Sequence, residues 1–219
     1  MKPGILLLDL DGTLADTAPD LAWALNKVLQ EEGHSPLALE KIRPTVSLGA
    51  VAMIRGAFGI DDEHEKFADL KYRFLQAYSE NIGQHTVLFD GMEQLLAALD
   101  EKGAPWGIVT NKVSWLTDPL MHELGLDTRT PCIVSGDTAA HPKPHPAPLL
   151  HACELLQCRP EEALYVGDAR RDIEAGQRAG MATLVAAYGY LDDADDPASW
   201  KADGSVETPM QILDWLKLD

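Results

Sequence analysis

The chain has 219 residues, 46% of them hydrophobic and 24% charged, enough for one sizeable core or a core with a small second domain. Eighteen Lys and Arg against 35 Asp and Glu leave a formal charge of −17, a field that repels phosphate backbones and anionic lipid and so argues against nucleic-acid and membrane-surface roles. A small anionic substrate fits only if a metal or local cations reverse that sign in one place.

Residues 4–9 read as a buried strand, an apolar run with no polar alternation that suits a central parallel strand covered on both faces. Stopped at Asp9, the run is too short for a signal peptide or a membrane span. Residues 15–86 then read as helical, with Leu21, Leu25, Val28 and Leu29 forming one stripe and Phe67, Leu70, Phe74 and Tyr78 another. Shorter helical pieces are expected near 37–42 and 50–58, and no strand.

Beyond residue 86 strands and helices alternate. Asp90-Gly-Met-Glu93 is expected to be a capping box that opens a helix through Leu95, Leu96 and Leu99 and stops at Gly103. A strand at 105–110 leads to a helix at 112–124 closed by Gly125; a strand at 132–135 leads to a helix at 148–156. The strand 163–167 precedes a helix at 172–179, and a weaker strand spans 182–186. Thr208-Pro209 supplies the N-cap and first residue of the last helix. This rhythm predicts an α/β fold, a doubly wound, Rossmann-like parallel sheet made from 1–14 and 87–219, with 15–86 as a small second domain. The acidic stretch 192–205 is expected to be a solvated loop whose Trp200 packs on the core. Cys132, Cys153 and Cys158 lack zinc-type spacing and suit a reducing cytoplasm.

The chemistry-bearing residues fall where strands end. Asp9-Leu-Asp11-Gly12-Thr13 leaves the first strand with two carboxylates on one side, a costly pairing that a divalent cation or a shared proton would relieve. The plainer reading is a solvated Asp-Gly turn. Gly167-Asp168-Ala-Arg-Arg-Asp172 adds acid at another strand end, or merely caps a helix. Thr110-Asn111 offers a hydroxyl and free backbone N–H groups in an anion-binding geometry, or simple capping. Lys143 sits among Pro142, Pro144, Pro146 and Pro148, which stiffen its loop; the plainer reading is an exposed lysine. His141 and His145 lack a third ligand nearby and are not taken as a metal site. Ligands of open α/β sheets bind outside the carboxyl ends of the strands, and the combination places these groups on that one edge.

In that combination the chain resembles the haloacid dehalogenase superfamily of phosphatases over nearly its whole length. Asp9-Leu-Asp11-Gly-Thr matches the family's first motif, Thr110 its second, Lys143 its third and Gly167-Asp168…Asp172 its fourth. The resemblance implies a hydrolase core at 1–14 and 87–219 and a helical cap domain of the C1 type at 15–86. It implies Asp9 as nucleophile, forming an aspartyl-phosphate, and Asp11 as general acid and then base, held protonated for its first role by Asp9. Mg²⁺ would be held by Asp9, the Asp11 backbone carbonyl and Asp168, with Asp172 acting through water. Gly12, Thr110, Asn111 and Lys143 would bind the phosphoryl group, and Arg43, Ser47 and Gly49 in the cap would select the leaving group.

Segments at 14–20, 109–112, 135–138 and 143–146 are similar to phosphoglycolate phosphatases, whereas 42–50, Tyr188-Gly-Tyr190 and Trp200 are similar to N-acetylmuramic acid 6-phosphate phosphatases. On motif count the expected substrate is 2-phosphoglycolate, with N-acetylmuramic acid 6-phosphate as the alternative. A sugar-phosphate mutase and a non-catalytic phosphate-accepting switch stand further off. The expected protein is a cytoplasmic monomer or homodimer acting on a small phosphate ester, without nucleic-acid or membrane partners.

Overall fold

The computed structural model describes residues 2–192 and 196–218. Strand β1 (Ile5–Leu8) has Leu6, Leu7 and Leu8 fully buried, as its unbroken apolar run requires. The chain then leaves through a two-residue strand, β2 (Ala15–Asp16), and returns 70 residues later through β3 (Val87–Leu88). These pair antiparallel, Ala15 opposite Leu88 and Asp16 opposite Val87. The expectation of no strand in this stretch is thereby corrected: two residues are too few to leave a periodic signal, and only the returning chain makes them a strand.

Between β2 and β3 lie α1 (Ala18–Glu31), α2 (Leu39–Val46), α3 (Gly49–Phe58) and α4 (Phe67–Glu80). The two stripes face each other: Leu21, Leu25, Val28 and Leu29 of α1 pack with Leu70, Phe74 and Tyr78 of α4. Ile42, Met53 and Ile54 complete this cluster, and Leu116 and Tyr190 join it from elsewhere in the chain.

After β3 come α5 (Met92–Lys102), β4 (Trp106–Val109), α6 (Ser114–Glu123), β5 (Ile133–Val134) and α7 (Ala147–Leu156). Then follow β6 (Ala163–Gly167), α8 (Arg170–Ala179), β7 (Ala182–Ala186) and β8 (Gly204–Val206). Six strands form one sheet in the order β5-β4-β1-β6-β7-β8, every pairing parallel. This is the expected α/β, Rossmann-like fold. Strand order reverses across β1, where the chain builds outward through β4 and β5 and then restarts at β6. Leu8 lies beside both Ile108 and Val166, so Asp9, Thr110 and Asp168 emerge along one edge at this switch point.

Three local expectations are revised. Asp90 does not cap α5; the chain enters that helix through Gly91 at φ 87°, a left-handed turn that removes Asp90 from the N-cap position. The last helix, Pro209–Trp215, is 3₁₀ rather than α, although Thr208 caps it with Gln211 as partner. Within 192–205, residues 193–195 lie outside the described residues. The rest is no mere loop: Pro197–Trp200 forms a 3₁₀ turn and Gly204 begins the sixth strand, pairing with Leu184. Trp200 does pack inward, against Ile173 and Val185. Among the described residues no helix is long and apolar enough to cross a membrane.

One buried acid ties α1 to the returning chain. Asp20 is fully buried and accepts hydrogen bonds from the His85 and Thr86 amides and from the Thr86 hydroxyl, at 2.7–3.2 Å. Truncation would orphan both amides, each costing about 1–3 kcal/mol. Asp20→Ala is therefore expected to lower unfolding free energy by about 3 kcal/mol in urea titration, whereas Asp20→Asn retains most of it.

Candidate active site

Asp9 follows β1 directly and is 2% exposed. Its Oδ1 accepts the Leu10 N–H at 2.8 Å and lies 2.8 Å from the Lys143 ammonium. Lys143, far from an exposed lysine, is 2% exposed and enclosed by four oxygens: Asp9 Oδ1, Asp172 Oδ1 at 2.7 Å, the Val109 carbonyl at 2.8 Å and the Tyr165 hydroxyl at 2.7 Å. An ammonium has three hydrogens to share among them. Asn111 fixes the loop that delivers it, its side chain accepting the Lys143 N–H and donating to the Lys143 carbonyl, each at 2.9 Å. The Asn111 amide is thus spent on Lys143 rather than turned toward a phosphoryl group.

Asp168, after β6, is 1% exposed. Its Oδ2 accepts the Ser47 hydroxyl at 2.6 Å and the Tyr190 N–H at 3.0 Å, and its Oδ1 accepts the Thr13 hydroxyl at 3.3 Å. Gly12 makes this approach possible: at φ 85°, a Cβ there would stand 2.1 Å from Asp168 Oδ2. Asp172, fully buried in the first turn of α8, gives Oδ1 to Lys143 and accepts the Ala169 N–H on Oδ2. Asp9, Asp168 and Asp172 offer oxygens that all lie within 4.8 Å of one another. Burial and then Asp172 push the Asp9 pKa up to about 6, against the pull of Lys143 and Arg171. Burial, then Asp9 and Asp172, push Asp168 to about 7. Burial also works to raise Asp172, but Lys143 and Arg171 hold it below the ordinary range. Three buried acids with one lysine among them leave negative charge uncompensated, and their hard oxygen donors fit a divalent cation such as Mg²⁺.

Asp11 points elsewhere. Its Oδ1 accepts the Thr17 hydroxyl and is paired with Lys112, each at 2.6 Å. Burial works to raise its pKa, yet Lys112 and Thr17 prevail and hold it below the ordinary value. The expectation that Asp9 keeps Asp11 protonated is corrected here, because an adjacent ammonium outweighs the more distant carboxylate. Thr110 is buried, but its N–H donates to the Val134 carbonyl and its Oγ1 accepts the Lys112 N–H, so the expected free amides at this strand end are partly committed.

The three residues assigned to leaving-group selection separate. Ser47 binds Asp168, as described. Arg43 pairs through Nη1 with both Asp16 oxygens at 2.9 Å and lies over the Tyr190 ring, whose hydroxyl also donates to Asp16. Arg43 thus latches α2 to β2 instead of facing a ligand. Gly49, at φ 84°, lines a cavity of about 380 Å³ above Asp9 and Asp11, as do Thr110, Asn111 and Lys112. Leu48, Val51, Met53, Phe74 and Leu75 give it an apolar wall.

Sequence reasoning passed over Lys112, Tyr165 and Arg171. Arg171 stands inside the fourth motif and lines the cavity, with a buried Nε that has no hydrogen-bond partner. The signal was a second arginine beside the acid pair, in a helical first turn where charge complementarity favours acids instead. Asp172, Asp9 and Asp168 act at range to keep it charged against its burial.

The family model for haloacid dehalogenase-like hydrolases matches residues 6–186. A phosphoglycolate phosphatase from Xanthomonas campestris is 42% identical over 96% of this chain and 95% of its own. An N-acetylmuramic acid 6-phosphate phosphatase from Pseudomonas putida is 39% identical over 97% of this chain and 95% of its own. A solved structure of a predicted phosphoglycolate phosphatase from Haemophilus somnus superposes with TM-score 0.86 at 27% identity, covering 98% of each chain.

With Asp9 and Asp168 raised, the folded protein retains protons between about pH 4 and pH 7 that the unfolded chain releases, so their contribution to stability falls as pH rises through that window. In chelator-treated protein, Asp168→Asn is expected to raise the melting temperature near pH 8 and to change it little near pH 4. An equal change at both values would contradict the charge crowding described here.

Proposed function

The chain belongs to the haloacid dehalogenase-like hydrolases and is a phosphatase; from that premise we propose that it is an Mg²⁺-dependent enzyme that cleaves a small-metabolite phosphate monoester through an aspartyl-phosphate. One observation carries the reading: Asp9 is pinned by Lys143 and the Leu10 amide at the floor of a cavity wide enough for a metabolite. Its carboxylate attacks phosphorus, the bond to the ester oxygen breaks, and Asp11 gives that oxygen a proton. Asp11 then takes a proton from the water that hydrolyses the aspartyl-phosphate, releasing inorganic phosphate. Asp11 is ionised while Lys112 holds it; an arriving phosphoryl group draws Lys112 toward its own charge and lets Asp11 acquire the proton it needs.

Lys143 is walled in by protein oxygens, so its part is to hold Asp9 and Asp172 in place rather than to embrace the phosphoryl group. The Thr110 end of β4 and Arg171 face the phosphoryl oxygens. Asp9 and Asp168, with Asp172 behind them and the Asp11 carbonyl beside them, would hold Mg²⁺, which supplies Lewis-acid neutralisation of phosphoryl charge. The segment 15–86 acts as the cap that covers the cavity and excludes water. Three free thiols accord with a cytoplasmic location.

Among substrates, the cavity favours N-acetylmuramic acid 6-phosphate. A volume of about 380 Å³ falls in the range of roughly 300–1,000 Å³ that takes drug-sized ligands, and its long apolar wall has little to do for a two-carbon acid. The second reading, 2-phosphoglycolate, rests on the motif count and on the relative 42% identical.

Parallel steady-state kinetics on both esters and on an aryl phosphate test these readings. The expected outcome is a kcat/KM at least about tenfold higher for the sugar acid, the worth of one well-placed interaction; the reverse order would select 2-phosphoglycolate. Asp9→Asn is expected to abolish turnover of the aryl phosphate while circular dichroism stays unchanged, and residual activity above about a thousandth would refute the nucleophile. Exhaustive chelation is expected to stop turnover and Mg²⁺ to restore it. Arg43→Ala is expected to impair sugar and aryl phosphates alike, because it latches the cap rather than touching the leaving group; a loss confined to the sugar ester would return it to specificity.

A further inference from the structure

In a protein with 35 acidic residues, a basic side chain partly withdrawn from solvent and outside any salt bridge is the anomaly. Among the described residues, Lys71 and Arg171 alone are both less than fully exposed and outside any salt bridge, and both line the same cavity. The remaining part-buried cations are paired: Lys27 with Glu80, Arg43 with Asp16, Arg73 with Glu31 and Glu32, Arg129 with Glu93 and Asp100, Lys112 with Asp11, Lys143 with Asp9 and Asp172.

The two cations come from separate parts of the fold. Arg171, from α8, adjoins the acids at the sheet edge. Lys71 is on α4, and Lys71, Leu75 and Tyr78, spaced i, i+4 and i+7, present one helical face to the cavity. Tyr78 marks the catalytic end of that face, since Lys112 Nζ lies 4.7 Å over its ring while bonded to Asp11. Seven residues of helix set the Lys71 backbone roughly 10 Å from that of Tyr78. The lining also includes Leu48, Val51, Met53 and Leu75, none of which offers a counter-charge.

We propose that Lys71 forms a second anion subsite, and that the natural substrate is a phosphate monoester whose leaving group carries a carboxylate at the end remote from phosphorus. The inference rests on the phosphatase reading above and extends it to a substrate class. One ammonium in apolar surroundings matches a single negative charge, and among the described lining residues Lys71 is the only cation that the helical layer contributes. The subsite also explains how an enzyme of charge −17 gathers an acidic metabolite: each negative group of the ligand meets its own unspent cation.

Two pairs of esters test this, one member of each carrying a carboxylate that the other lacks. N-acetylmuramic acid 6-phosphate is compared with N-acetylglucosamine 6-phosphate, and 2-phosphoglycolate with 2-hydroxyethyl phosphate. In at least one pair the unmodified enzyme is expected to prefer the acid by roughly 10- to 100-fold in kcat/KM, the worth of a hydrogen bond to a charged group. Lys71→Met is expected to collapse that ratio toward one, mainly through KM for the acid, and Lys71→Arg to keep most of it. A Lys71→Met enzyme that retains the ratio, its rates falling together on both members as general damage would cause, overturns the proposal. So does an unmodified enzyme without preference for the acid in either pair. Failure of the unmodified enzyme to turn over an aryl phosphate would bring down the catalytic reading itself, which separates the two failures.

Discussion

The contact on which the site depends is the one between Lys143 and the carboxylates of Asp9 and Asp172. Three acids gathered at one sheet edge, all buried, repel one another and resist ionisation where water cannot solvate them. A single ammonium with no exposed side-chain surface of its own offsets part of that cost and fixes the position of Asp9, the proposed nucleophile. Nearby structure serves this arrangement. Asn111 clamps the backbone on either side of Lys143, Tyr165 fills its remaining coordination, and β4 supplies the Val109 carbonyl. Charge still in excess is what a divalent cation is suited to absorb.

Around this fixed centre the helical layer attaches by polar contacts aimed at the same residues. Ser47 donates to Asp168; Arg43 and Tyr190 both bind Asp16 in the short ribbon through which the chain leaves the sheet; Thr17 and Lys112 share the carboxylate of Asp11. Any motion of the layer therefore changes the surroundings of Asp168 and Asp11 directly. In the proposed mechanism, covering the cavity and setting the protonation of Asp11 are therefore coupled. Polar contacts of this kind can be exchanged for ligand contacts at little net cost, whereas the apolar core between α1 and α4 moves as a unit.

Legibility of the sequence followed the length of the signal. Strands 163–167 and 182–186 were fixed to the residue, because an uninterrupted apolar run bounded by turn formers has one reading. The short β2, β3 and β8 carry no periodicity and are made strands by the partner lying alongside, whereas the equally short β5 falls within an apolar run at 132–134. The acids, Thr110 and Lys143 could be named from their places at strand ends, since parallel topology brings those ends together whatever the side chains do. The partners could not: Arg43 and Asn111 are polar residues in suggestive segments, yet one is spent on Asp16 and the other on a backbone loop.

By itself, then, the chain's order of residues pointed to the α/β class, the edge at which chemistry gathers, and which acids and which lysine meet there, because alternating strands and helices imply a doubly wound parallel sheet. Tertiary structure alone decided how charge is distributed among them: that Lys112 takes Asp11, that Lys143 is enclosed instead of facing the ligand, and that Arg171 and Lys71 are left to look into the cavity. Hydrogen bonds and ion pairs act over a few ångströms between residues 101, 121 or 174 apart in the chain, and no local pattern encodes which of several possible partners comes within that reach.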